Sequence, residues 1–165
     1  MADMDIVLPL SEEHLCAIGR VTAYFSLLEN GANTLIADLL ELKSREDVIS
    51  VTAHMMFSNK VQLIETLVST RFKEEKGLGE LISVIISDMK KSNERRNLIV
   101  HASWYYHSPE KNESGVLRQT ARGKLKTSLE GLTPEDINKE ALFILKASGK
   151  VQNFLMKKNG AIHFG

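Results

Sequence analysis

Two adjacent arginines and a histidine, Arg95-Arg96-Asn97-Leu98-Ile99-Val100-His101, run straight into Ala102-Ser103-Trp104-Tyr105-Tyr106. A guanidinium carries permanent positive charge on a planar fork of donors that suits phosphate. Histidine is the side chain whose unperturbed pKa allows proton transfer near neutrality. Together they suit cleavage of a phosphodiester without a metal ion. The surrounding segment reads as buried helix, so its polar groups need a reason to be there.

The elements that must position this string belong to a chain of 165 residues, 43% apolar and 25% charged. That is long enough for one well-filled core and too short for two independent domains, so a single domain over 1–165 is expected. A formal net charge of zero excludes coating nucleic acid through bulk charge and leaves only a local patch. Such a patch exists: between Asp88 and Lys126 stand nine Lys or Arg against four acids. The single cysteine, Cys16, excludes an intramolecular disulfide, and no CxxC or Cys/His cluster announces zinc. His14, His54, His107 and His163 show no metal-ligand spacing, so neither metal nor cofactor is expected. The N-terminal Met1-Ala2-Asp3-Met4-Asp5 is acidic where a signal peptide is basic, and no uncharged apolar run nears the length of a membrane span. A soluble, unprocessed protein of a reducing cytoplasm, with no membrane partner, is the expectation.

From Ser11 to Leu42, Ile18, Val21, Phe25, Leu28, Ala32, Leu35, Leu39 and Leu42 recur at three- and four-residue steps, the stripe of one long helix. Leu15, Leu27, Ile36 and Leu40 widen the stripe beyond a coiled-coil seam, which predicts more than one neighbour. Gly31 is either a weak point or the site of a close helix crossing. A helical pair is expected over 45–74, its first member reaching Ala53 and its second capped by Ser58 and carrying Val61, Ile64, Leu67, Val68 and Phe72. Lys73 to Gly79 turns the chain.

The motif helix is expected over 78–104, with Ile82, Ile85 and Met89 inward. At about 100° per residue Arg96 falls within about 20° of Ile85 and Met89, while His101 lies about 140° away and shares its side with Asn97. Arg96 and His101 therefore meet by a bend at the helix end, by the reach of the arginine, or through a second copy of the site. After it a β-hairpin over 105–130 is predicted from period-two alternation, with Leu117, Ala121, Leu125 and Leu129 on one face, Arg118, Lys124 and Lys126 on the other and Arg122-Gly123 at the turn. That basic face either holds a nucleic-acid strand or merely keeps the sheet edge solvated. Trp104 is expected in the core, although Trp104, Tyr105 and Tyr106 are also able to stack on bases. Thr133-Pro134-Glu135-Asp136 has the cap, first-turn proline and acids of a helix start, and this last helix is expected over 133–158.

Read from the residues alone, Arg96 is also explicable as a buried cation neutralised by a carboxylate such as Glu29, with His101 capping a helix end. The string Glu94-Arg95-Arg96-Asn97-Leu98-Ile99-Val100-His101-Ala102-Ser103-Trp104, late in a long helix, resembles the HEPN superfamily (higher eukaryotes and prokaryotes nucleotide-binding). Its hallmark is an arginine, a polar residue, and a histidine four to six residues after the arginine. The segment Ile18-Gly19-Arg20 through Tyr24-Phe25-Ser26-Leu27-Leu28-Glu29 also looks like the first helix of small bacterial and phage-borne proteins of this type. The resemblance implies a mainly α bundle with two long helices, shorter helices and a small β-hairpin before the C-terminal helix. It further implies a homodimer in which two motifs meet in a cleft, and metal-independent RNA cleavage in toxin–antitoxin or phage-defence systems. On that reading His101 is general acid or base, Arg96 stabilises the transition state, Asn97 orients the imidazole or donates to phosphate, and Arg95, Arg118, Arg122, Lys124 and Lys126 bind substrate. The alternatives are a non-catalytic interaction protein of the same fold, with an antitoxin-like partner, and nucleotide binding without cleavage.

Overall fold

The computed structural model describes residues 9–71, 76–108, 113–120 and 126–160. Five helices and three strands follow one another as α1 (Glu12–Leu40), α2 (Arg45–Thr52), α3 (Phe57–Arg71), α4 (Lys76–Val100), β1 (Ser103–Ser108), β2 (Glu113–Thr120), β3 (Lys126–Gly131) and α5 (Pro134–Gly160). The chain is mainly helical, with the small antiparallel sheet placed before the last helix as expected.

Helix α1 starts where Ser11 leaves helical geometry and its hydroxyl accepts from the His14 backbone N–H. It stops at Glu41, which turns left-handed at φ 57° and returns its own N–H to the carbonyls of Ala37 and Asp38. Between these ends Ala17, Val21, Phe25, Leu28, Ala32, Leu35, Ile36 and Leu39 are buried, and α1 packs against α3, α4 and α5. The widened stripe is only partly used, since Leu15 and Leu27 stay exposed. Gly31 is a close crossing: a Cβ there would meet Val151 Cγ1 on α5 at 3.1 Å.

Three sequence expectations move. The motif helix ends at Val100 instead of residue 104, and it begins at Lys76, so Gly77 and Gly79 lie in its first turn. At its far end the chain leaves the helix for β1, where Trp104 packs partly buried against the core, edge to face with buried His14 at a centroid separation of 6.1 Å. The expected hairpin is the β2–β3 half of a three-stranded sheet of order β1-β2-β3, with Leu117 opposite Leu129. Helix α5, expected over 133–158, runs Pro134–Gly160 and at 27 residues is a third long helix beside α1 (29) and α4 (25).

The sheet is tied to the start of α1. Ser114 Oγ donates to the Pro9 carbonyl, Leu132 N–H donates to the Ser114 carbonyl, and His14 Nε2 lies 3.1 Å from the Leu132 carbonyl. His14 Nδ1 lies 2.8 Å from Ser11 Oγ, so this buried imidazole is bonded at both nitrogens. Among the described residues no helix is long and apolar enough to cross a membrane.

Two outcomes follow from the packing and capping. Gly31→Val should lower stability by about 1–3 kcal/mol through overpacking, and adding Val151→Ala should recover part of that loss in a urea-unfolding double-mutant cycle. At the start of α5, Thr133 Oγ1 and N–H both donate to Asp136, which holds that carboxyl below its ordinary pKa. A depressed folded pKa means the stabilisation is present above the ordinary aspartate range and is lost as pH falls through the lowered value. Thr133→Ala should therefore flatten the acid side of a melting-temperature profile, below about pH 4, and lower the neutral-pH melting temperature slightly.

Candidate functional site

Arg96 and His101 meet within one chain. Helix α4 ends at Val100, His101 sits in the turn that follows, and Arg96 Nη1 lies 2.5 Å from His101 Nε2. Of the three routes open from the sequence, the reach of the arginine across the helix end is the one used. A guanidinium only donates, so Nε2 accepts and the proton of the neutral ring is on Nδ1. The same Nη1 donates to Asn97 Oδ1 at 3.0 Å. Asn97 Oδ1 thus meets the arginine, and of its two expected roles the orientation of the imidazole has no hydrogen bond among the described residues.

The setting of Arg96 is unusual for a cation. Its guanidinium lies 5.3 Å from the centroid of the Phe25 ring, which itself packs on Phe57 with centroids 4.7 Å apart. An aromatic face attracts a guanidinium and repays part of its lost hydration. Nε is buried and bonds to nothing, and among the described residues no carboxylate pairs with Arg96. The expected partner, Glu29, goes elsewhere: its Oε1 accepts from Lys60 Nζ at 2.8 Å. Lys60 is the more deeply buried of the two, with 6% of its side chain exposed against 37% for Glu29, and a buried ammonium takes the nearest carboxylate.

Glu29 nevertheless lines the same cleft as the motif. A hollow of about 520 Å³ is walled by Phe25 and Glu29 of α1, by Met56, Phe57 and Ser58 at the start of α3, by Asn93, Arg96 and Asn97 of α4, and by His101. Phe25 and Glu29 are four residues apart, as are Asn93 and Asn97, so each helix turns one face to it. Phe57, Ser58 and Asn93 also belong to an adjoining hollow of about 380 Å³ that continues along Val61, Gln62, Glu65 and Lys90.

The other predicted residues are placed differently. Arg95 faces α5, where it ion-pairs with Glu140 and lies 4.0 Å above the Phe143 ring, so it fastens α4 to α5 and is not brought to the cleft. Arg118 stands opposite Ser128 in β2, and Lys126 opposite Thr120 at the start of β3. Ser103 pairs with Leu117, which makes Arg118 the next position towards the turn carrying His101. The side chains of Arg118 and Lys126, and Arg122 and Lys124 altogether, lie outside the described residues, and the expected basic face lies there with them. Tyr105 is occupied structurally, donating from its hydroxyl to the Val116 carbonyl at 2.6 Å.

Sequence reasoning missed Lys60, Phe57, Ser58 and Asn93. Only Asn93 had a signal, its position one turn before Asn97; a lysine that folding buries looks in the sequence like any solvated one. Among the described residues no group of three or more His, Cys, Asp or Glu is arranged to hold a metal ion. Compared with protein-family models, with curated proteins and with solved structures, the chain has no match.

The Lys60–Glu29 pair makes an asymmetric prediction. Glu29→Ala, which strands a buried ammonium, should cost about 2–3 kcal/mol in chemical unfolding. Lys60→Met, which leaves Glu29 facing water, should cost less than half as much.

Proposed function

We propose that this chain is a metal-independent endoribonuclease of the HEPN type, acting on RNA as a homodimer in the cytoplasm. The observation that carries the reading is the half-buried Arg96, which pairs with no carboxylate among the described residues and directs Nη1 to Asn97 and to the imidazole of His101. A cation with no counter-charge among the described residues, at the edge of an open cleft, is prepared for an anion. The neutral imidazole beside it presents a lone pair.

The chemistry runs through those atoms. In the unliganded chain His101 Nε2 accepts from Arg96; an incoming phosphate competes for that donor and frees Nε2 as a general base. Nε2 takes the proton of the ribose 2′-hydroxyl, the 2′-oxygen bonds to phosphorus, and the bond from phosphorus to the 5′-oxygen breaks. Arg96 stabilises the charge that grows on the non-bridging oxygens. The departing 5′-oxygen needs a proton, which the same motif in a second copy would deliver across the dimer. The ends are a 2′,3′-cyclic phosphate and a 5′-hydroxyl. Arg118, Arg122, Lys124 and Lys126 contribute sequence-independent affinity for the strand, while Arg95 serves α5.

One observation favours a second reading. The Arg96–Asn97–His101 contacts are satisfied internally at a helix end, so they would also serve as a latch in a non-catalytic interaction protein, a toxin–antitoxin or phage-defence partner.

Incubation of wild type and His101→Ala with single-stranded and structured RNA in excess EDTA, with mass spectrometry of the ends and a melting curve for each protein, separates the two. Cleavage to cyclic-phosphate ends should fall by about 10²–10⁴-fold in the variant with its melting temperature unchanged. No cleavage by either protein, together with a variant that melts lower or fails to dimerise, would leave the latch.

A further inference from the structure

The motif cleft contains a group that phosphate chemistry does not call for. Glu29 faces the same hollow as Arg96 and His101, and a carboxylate beside a polyanion weakens binding unless it accepts hydrogen bonds from the ligand. Lys60, buried behind it, offsets most of its charge and fixes Oε1 in place. Each carboxylate oxygen accepts more than one hydrogen bond, so Oε1 and Oε2 both remain able to accept from a ligand in the cleft.

We propose that Glu29 reads the Watson–Crick edge of a guanine, so that the cleft holds the guanosine whose 3′-phosphate is cleaved; this rests on the reading of the cleft as an RNA-cleaving site. The choice among bases follows from donor pattern. Guanine presents two adjacent donors, N1–H and the 2-amino group, spaced to match the two oxygens of one carboxylate. Adenine and cytosine each place one amino donor next to a ring nitrogen that repels the second oxygen, and uracil places its single N–H between two carbonyls.

The rest of the lining agrees with a base. Ser58 and Asn93 carry donors for guanine O6, and Phe25 and Phe57 with the exposed Met56 give apolar contact for the ring. The volume is within the range of about 300–1,000 Å³ typical of small-ligand sites and is large enough for one nucleotide. With Glu29 and Arg96 lining one hollow, the proposal puts base and scissile phosphate in the same nucleotide, with the phosphate at Arg96.

The test titrates the intact wild-type protein by calorimetry with the 3′-monophosphates of guanosine, inosine, adenosine, cytidine and uridine. The guanosine nucleotide should bind at least about tenfold tighter than any other, including inosine, which lacks only the 2-amino group. Glu29→Gln should abolish that preference; if the variant does not fold, the inosine comparison alone decides. Equal affinity across the five, no binding of any, or preference for another base overturns the proposal. Mapping of cut sites on a defined RNA keeps the two readings apart. Guanosine preference without cleavage leaves the subsite and removes the ribonuclease, whereas cleavage without preference after guanosine does the reverse.

Discussion

The burial of α1 is the constraint on which the structure depends. Twenty-nine residues of helix, about 43 Å at 1.5 Å per residue, carry an apolar stripe that α3, α4 and α5 must cover together. Each of those helices is placed by the part of α1 it covers, and Gly31 lets Val151 of α5 come close enough to close the layer. The cleft is a by-product of that arrangement. Phe25 and Glu29 lie on one edge of the stripe, where α3 begins and α4 ends, and the space between the three is what remains open.

Charge is handled in two opposite ways within that space. Lys60 is buried and neutralised by a carboxylate at 2.8 Å, the arrangement burial normally demands of a cation. Arg96 receives an aromatic face, an amide oxygen and an imidazole, none of which cancels its charge. The difference is electrostatic: a neutralised ammonium sets the position of its partner, whereas an uncancelled guanidinium keeps a positive potential at the cleft. Arg95, one residue earlier and about 100° around the helix, points at α5 and is paired there. Adjacent arginines thus do different work because a helix separates neighbours onto different faces.

Much of the architecture was legible because periodicity is a local property. The stripe of α1, the Ser11 cap, and the Thr133-Pro134-Glu135-Asp136 start of α5 depend on residues within a turn of one another, whereas Ser58, expected to cap the second of the helical pair, lies inside α3, which begins at Phe57. The end of α4 was not legible. Whether Trp104 continues a helix or begins a strand depends on His14, ninety residues away, and on β2, which offers Val116 as its partner. The sequence likewise pointed to Glu29 as a partner for Arg96, which is a statement about charge; it had no means of weighing Lys60, whose burial arises only when α3 docks on α1.

By itself the sequence determined the helical class, the order of the five helices, the presence of a small sheet before the last of them, and the string in which an arginine and a histidine stand five residues apart. These are carried by spacing along the chain. Only the tertiary structure decided that Arg96 and His101 touch within one chain, that Asn97 serves the arginine, that Arg95 is withdrawn to Glu140, and that Glu29 faces the cleft with Lys60 behind it. Each of those outcomes is a competition among groups distant in sequence for a limited set of partners, and burial settles it: the group that loses most water takes the nearest opposite charge.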